Sequence, residues 1–97
     1  MNTAQQIRIL LSEHLPQLKT KYPIETLALF GSVLRNDFVP GKSDVDILVD
    51  FNGSIGIEFI DLADELETLV KTKVDLVTKG GLSKKHWEYL KERIQYV

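Results

Sequence analysis

A chain of 97 residues has room for one domain, which we predict over residues 1–97. Its net charge of -2 argues against a nucleic acid partner, and the lack of cysteine excludes disulfides and thiolate metal sites. The N-terminus lacks the apolar core of a secretory signal, and no apolar run approaches membrane-spanning length, so we expect a cytoplasmic protein without a membrane partner.

The first third of the chain is predicted to pass from helix to strand to turn. Apolar residues at helical spacing indicate a helix over residues 3–12, and Pro16 is expected to break or restart it near His14. A short strand over residues 25–30, a brief helix over 32–36 and a turn over 38–42 are predicted to follow.

Strands and helices alternate in the remainder. Alternating apolar residues predict a strand over residues 44–51, which places Asp44 and Asp46 on the same face. An amphipathic helix over 59–70, a third strand over 73–78, a hinge or tight turn at Gly80-Gly81 and a last helix capped by Ser83 and containing Trp87, Leu90 and Ile94 are predicted next. The predicted fold is a small α/β sandwich with a three-stranded mixed sheet and about four helices.

Two carboxylates stand where a core strand would carry apolar residues. Asp44 and Asp46 leave the same strand face about 6.6 Å apart and repel each other unless a cation lies between them. Asp75 interrupts the third apolar strand, and it would join them if the two strands are neighbours. Three carboxylates can hold two metal ions for in-line attack on phosphorus, and Mg²⁺ prefers such ligands.

A glycine and a serine stand between the first strand and the following helix. Gly31 would allow the backbone to approach a ligand closely, and the first N–H groups of a helix favour an anion. Ser32 adds a hydroxyl donor, so the pair is suited to holding phosphate next to a metal site.

Each of these features also has an ordinary interpretation. Gly-Ser is common in turns, Asp44 could be a solvated loop charge, and Asp75 could lie on a surface edge. Arg35 could contact phosphate, or it could pair with Asp37 and hold the loop, an alternative that we favour slightly. The combination of the three features favours a functional site.

The residues that carry these features resemble a known signature. Gly31-Ser32-x-x-Arg35-x-Asp37, followed by Ser43-Asp44-x-Asp46-Ile47-Leu48-Val49, resembles the motif of the DNA polymerase β nucleotidyltransferase superfamily. It is most similar to that of the minimal nucleotidyltransferases, which consist of this core alone. The later Val74-Asp75-Leu76-Val77 resembles their third-carboxylate strand.

The resemblance implies a specific activity. A nucleotidyl group, AMP in our prediction, would pass from ATP or another NTP to a hydroxyl with the help of two Mg²⁺ ions. Asp44 and Asp46 would hold both ions, and Asp75 would hold the catalytic ion and help to activate the hydroxyl. The resemblance also implies that the triphosphate is bound by Gly31 and Ser32, and we predict Arg35 and Ser43 as further nucleotide-binding residues, with the ion-pair alternative for Arg35 left open.

The same resemblance implies a protein partner. Minimal nucleotidyltransferases often accompany a HEPN-domain toxin as its antitoxin, and some adenylylate that toxin. We therefore predict transfer to a hydroxyl of a HEPN toxin, with tyrosine as our first choice of acceptor. The alternative is a non-catalytic antitoxin that neutralises its partner by binding alone. A nucleotide-sensing domain and a homo-oligomer also remain open.

Overall fold

Three α-helices and four β-strands are present in the computed structural model, which describes residues 4–35, 37–39 and 41–97. In chain order they are α1 (Ala4–Lys21), β1 (Ile24–Phe30), β2 (Val45–Phe51), α2 (Glu58–Val70), β3 (Val74–Thr78), α3 (Lys84–Leu90) and β4 (Gln95–Tyr96), with 3-10 turns at Gly31–Leu34 and Lys79–Gly81.

The four strands form one mixed sheet in the order β3-β2-β1-β4. β1 is antiparallel to both β2 and β4, whereas β2 and β3 are parallel and are joined by the crossover helix α2. The predicted α/β fold with a mixed sheet is therefore confirmed. The described residues contain three α-helices rather than about four, because the brief helix predicted over 32–36 is a 3-10 turn over Gly31–Leu34. Asn36 lies outside the described residues.

The hydrophobic core lies between one face of the sheet and the helices α1 and α2. On that face Leu27 opposes Val49 and Leu29 opposes Ile47 across the β1–β2 pair, and all four side chains are buried. The helices contribute side chains at helical spacing, which are Ile7, Leu11 and Leu18 from α1 and Leu62, Leu66 and Val70 from α2. Among the described residues, no helix has both the length and the apolar character needed to cross a membrane.

A buried tyrosine ties the end of α1 to α2. The Tyr22 hydroxyl donates to Glu65 Oε1 at 3.0 Å, and Glu65 Oε2 accepts from Lys21 Nζ at 3.0 Å. Burial, with the nearby Glu65 carboxylate, raises the pKa of Tyr22 to about 12. The hydrogen bond from Lys21 lowers the pKa of Glu65, although burial opposes this shift.

The prediction that Pro16 breaks the first helix is wrong. α1 continues through Pro16 to Lys21, although a proline removes one backbone hydrogen bond. The buried residues Leu11 and Leu18 lie on either side of Pro16, and both belong to the same core cluster. Packing against the sheet and α2 therefore outweighs the local preference for a break. The predicted start at Thr3 lies outside the described residues.

The C-terminal segment also differs from the prediction. Ser83 Oγ accepts from the His86 N–H at 3.1 Å and caps α3 as predicted, but the helix ends at Leu90, so Ile94 is not part of it. The chain then returns to the sheet, where Ala28 of β1 opposes Tyr96 of the unpredicted strand β4.

The predicted turns can be compared with the structure in part. Gly80-Gly81 lies in a tight turn, in which the Gly81 N–H donates to Thr78 Oγ1 at 3.0 Å. A turn is present at Gly41 and Lys42, within the turn predicted over 38–42, whereas Pro40 lies outside the described residues.

Candidate functional site

The predicted carboxylates gather at one end of the sheet. Asp46 of β2 and Asp75 of β3 are direct register partners in the parallel pair, so their side chains leave the same face. Asp44 stands one residue before β2, whose first residue is Val45 rather than the predicted Asp44. These carboxylates lie on the face opposite to the α1–α2 core, because Asp46 follows the core residue Val45.

The electrostatics of Asp46 indicate that its charge is poorly compensated. Burial raises the pKa of Asp46, the carboxylates of Asp75 and Asp44 raise it further, and Arg35 opposes them. Asp46 is half-buried, whereas Asp44 and Asp75 are exposed. A cation placed among these groups would relieve the repulsion.

Gly31 brings the backbone against the Asp46 carboxylate. It follows Phe30, which opposes Asp46 in the β1–β2 pair, and it has a φ of +77°. A Cβ atom at Gly31 would lie 2.1 Å from Asp46 Oδ2. Glycine is therefore favoured here by the backbone conformation, and any larger residue would displace the Asp46 carboxylate.

Ser32 and Ser43 have different surroundings. Ser32 lies in the 3-10 turn, where its carbonyl accepts from the Arg35 N–H at 2.9 Å, and its hydroxyl makes no hydrogen bond to another described residue. Ser43 Oγ instead accepts from the Val39 N–H at 3.0 Å, and the Ser43 N–H donates to the Val39 carbonyl at 2.8 Å. Ser43 thus closes the loop before β2, while Ser32 keeps a hydroxyl for a ligand.

Arg35 takes part in the ion pair anticipated from the sequence. Its Nε lies 3.3 Å from Asp37 Oδ1, and both side chains are largely exposed. An exposed pair of this kind contributes little stability. Arg35 therefore remains able to exchange Asp37 for a bound anion.

The described residues do not contain a ready-made metal site, since no three carboxylate or imidazole side chains among them are grouped closely enough to hold an ion. Mg²⁺, however, commonly takes one or two carboxylates and completes its coordination with water and substrate phosphates. The poorly compensated charge of Asp46 beside Asp75 and Asp44 fits such an ion.

A pocket of about 360 Å³ lies beside Gly31. It lies between the 3-10 turn after β1 and the end of α3, and it shares Gly31 with the carboxylate site. Its lining residues are Phe30, Gly31, Leu34, Arg35, Tyr89, Leu90 and Arg93. Nothing in the local sequence distinguishes Tyr89 and Arg93 from ordinary helix-surface residues. Only the return of the chain through β4 to β1 places them beside Gly31.

Sequence comparison with known proteins finds relatives whose assigned activity agrees with the carboxylate site described above. The profile of the nucleotidyltransferase domain family matches residues 11–97. A protein of Methanocaldococcus jannaschii assigned as a protein adenylyltransferase is 38% identical over 96 residues, which cover 98% of this chain and 94% of that protein. The protein adenylyltransferase MntA of Thermococcus cleftensis is 37% identical over 83 residues, which cover 84% of this chain and 83% of that protein.

Solved structures share the fold. A structure described as a minimal nucleotidyltransferase superposes with a TM-score of 0.78 at 26% identity, and the match covers 96% of this chain and 94% of that chain. An MNT antitoxin bound to a tri-AMPylated HEPN toxin from Shewanella oneidensis gives a TM-score of 0.66 at 22% identity, covering 93% of this chain and 70% of that chain. The chain therefore belongs to the nucleotidyltransferase domain family, and its fold matches that of a minimal nucleotidyltransferase.

Proposed function

We propose that this chain transfers AMP from ATP to a hydroxyl group of a HEPN-type toxin and so acts as its antitoxin. The observation that carries the proposal is the meeting of the Asp46–Asp75 register pair with Gly31 at one end of the sheet. The assignment of similar proteins as protein adenylyltransferases supports a protein acceptor. The shared fold with an MNT antitoxin that is bound to a HEPN toxin is consistent with the class of partner.

Divalent cations fit the carboxylate end of the sheet. Asp44, Asp46 and Asp75 are not grouped closely enough to hold an ion by themselves, so we propose that they would hold two Mg²⁺ ions together with the phosphates of the nucleotide. The ions would supply positive charge to the reacting phosphate and to the leaving pyrophosphate. Gly31 holds the backbone against the Asp46 carboxylate, which places the 3-10 turn next to the proposed metal site. The Ser32 hydroxyl in that turn and the Arg35 guanidinium after it would donate hydrogen bonds to the oxygens of a phosphate chain bound there.

The reaction is an in-line displacement at the α-phosphorus. The acceptor oxygen forms a bond to this phosphorus, the bond to the bridging oxygen of the β-phosphate breaks, and pyrophosphate leaves. Asp75 is exposed, so an acceptor side chain can reach it from solvent. We propose that Asp75 orients the acceptor hydroxyl and assists the loss of its proton.

The acceptor is proposed to arrive on a second protein. The carboxylates lie on the sheet face opposite to the α1–α2 core, and a docked partner would supply the missing wall and orient the attacking oxygen. A tyrosine hydroxyl remains our first choice, by resemblance to the family.

The proposal is tested with labelled ATP, Mg²⁺ and the product of the gene beside this one, which the proposal expects to be a HEPN-type protein. Label is expected on the HEPN-type protein with the wild type and with Asp64→Asn, a control on the exposed face of α2. It should be absent with Asp44→Asn Asp46→Asn. Neutralisation without label, unchanged in the double variant, would instead establish the non-catalytic antitoxin.

Asp75→Asn separates binding from turnover. The nucleotide is proposed to depend mainly on Asp44 and Asp46, so ATP affinity with Mg²⁺ should change little while turnover collapses. Calorimetry gives the affinity, and labelled transfer gives the rate. An equal loss of affinity in Asp75→Asn and Asp46→Asn would contradict the proposed division of roles.

A further inference from the structure

In the pocket beside Gly31, the side that is formed by Tyr89, Leu90 and Arg93 has no role in the function proposed above. The pocket extends from Gly31 to Tyr89 in the last turn of α3 and to Arg93 just beyond that helix. We propose that this pocket binds the base of the donor nucleotide, with Tyr89 and Arg93 as base-binding residues. The inference rests on the proposed function, because it assumes that the phosphates of the same nucleotide lie at Gly31.

The charge of the pocket suits a ligand rich in hydrogen-bond acceptors. Two of its lining residues, Arg35 and Arg93, are cationic, and none of the lining residues is a carboxylate. Arg93 makes no ion pair with any described residue, and the pair between Arg35 and Asp37 is exposed. The ring nitrogens and carbonyl oxygens of a nucleobase are acceptors that an arginine can contact.

Arg93 and Tyr89 form a flat, preorganised surface. The guanidinium carbon of Arg93 lies 4.0 Å from the centre of the Tyr89 ring, and the guanidinium also donates a hydrogen bond to the Tyr89 carbonyl. The Tyr89 side chain is 59% exposed. An arginine plane held against an aromatic ring is a suitable partner for a stacked base.

The apolar wall favours a base over a phosphate in this pocket. Phe30, Leu34 and Leu90 contribute to its lining. A phosphate is strongly hydrated and loses that hydration beside apolar side chains, whereas a flat ring gains contact area there. The volume of about 360 Å³ lies at the lower end of the range for small-molecule pockets, which suits one ring system.

The test compares two ligands that share the phosphate chain. Dissociation constants for ATP and for inorganic tripolyphosphate are measured with Mg²⁺ by calorimetry. The proteins are the wild type, Arg93→Gln, Tyr89→Leu and the control Lys85→Gln, which changes an exposed charge on α3 outside the pocket. Thermal unfolding of each variant verifies that it is folded.

We expect Arg93→Gln and Tyr89→Leu each to weaken ATP binding about tenfold, as for the loss of one stacking partner, with tripolyphosphate binding unchanged. Lys85→Gln should bind both ligands as the wild type does. An equal loss for tripolyphosphate would overturn the inference in favour of a phosphate-binding pocket. Unchanged ATP binding in both variants would overturn it outright. A wild type that binds no ATP would overturn the proposed function itself, which is a distinguishable result.

Discussion

Replacing Gly31 by alanine should damage the site far more than the fold. The added methyl group would sit in a backbone conformation with φ near +77°, and such a conformation costs an L-residue about 1–2 kcal/mol. Part of this cost is offset because alanine restricts the unfolded chain more than glycine does. The net loss of unfolding free energy is therefore about 1 kcal/mol, equivalent to about 4–8 °C in Tm for a domain of this size.

The functional loss comes from the collision with Asp46. The new Cβ would lie 2.1 Å from Oδ2 and 3.1 Å from Cγ of that side chain, so the carboxylate must rotate away. Rotation of a half-buried side chain is a smaller demand than a shift of the β2 backbone, so it adds little to the loss of stability. It removes the carboxylate from the reacting centre, where a displacement of about 1 Å costs roughly a hundredfold in rate.

Gly41 provides the matched control. Its φ is +84°, and a Cβ atom there would meet nothing within 4 Å, so Gly41→Ala carries the backbone strain without the collision. Both variants should lose similar stability by thermal unfolding, while only Gly31→Ala should lose labelled transfer. Wild-type transfer in Gly31→Ala would refute the role of the close approach. A much larger loss of stability than in Gly41→Ala would show that the backbone, rather than the carboxylate, gives way.

Three further changes address charge, burial and helix continuity. In the presence of a chelator, Asp46→Asn should be more stable than the wild type at neutral pH. The pKa of Asp46 is raised in the folded chain, so the wild type loses stability as the pH rises from 3.8, the pKa in the unfolded chain, through the pKa in the folded chain. The unfolding free energies of the two proteins, measured by denaturant titration, should become equal below pH 3.8. A variant that is no more stable than the wild type at neutral pH would contradict the raised pKa of Asp46. Tyr22→Phe should cost about 0.5–1.5 kcal/mol for the lost hydrogen bond to Glu65. The wild type should lose stability between pH 10 and about 12, because Tyr22 ionises in the unfolded chain before it ionises in the folded chain, and Tyr22→Phe should lose less. Unfolding free energies that fall in parallel for the two proteins over this pH range would argue against the raised pKa. Pro16→Ala should raise the unfolding free energy by about 2 kcal/mol, since α1 continues through this position and regains a hydrogen bond, and a lower Tm would show that the helix needs the proline.

The first three strands and the carboxylates at the ends of β2 and β3 could be predicted from sequence because their signals are local. Alternation along β2 sets its two faces, and the amphipathic pattern of α2 implies a helix that packs on a sheet. From the sequence, Asp75 was expected to lie beside Asp46 only if β2 and β3 are neighbours in the sheet. The short crossover through α2 meets that condition, since it joins two parallel strands of the same sheet.

The features that could not be predicted from the sequence depend on contacts between segments that are distant along the chain. Gln95 and Tyr96 are both exposed and form a strand of two residues, which has no recognisable alternation, and they are ordered by pairing with Leu29 and Ala28. The continuity of α1 likewise depends on core packing on both sides of Pro16. The pocket beside Gly31 could not be predicted for the same reason, because it joins the end of β1 to the end of α3.

The carboxylates at the end of the sheet lower the folding stability of the chain. Asp46 is half-buried next to two other carboxylates, and its raised pKa shows that the folded chain holds this charge unfavourably in the absence of a cation. An apolar residue in the same register position would pair better with a neighbouring strand. The opposite face of the same strand compensates, because Val45, Ile47 and Val49 are fully buried against α1 and α2. Alternation along β2 thus places the core residues on one face and the carboxylates of the proposed site on the other, and it explains how so short a chain can hold concentrated negative charge next to a continuous core.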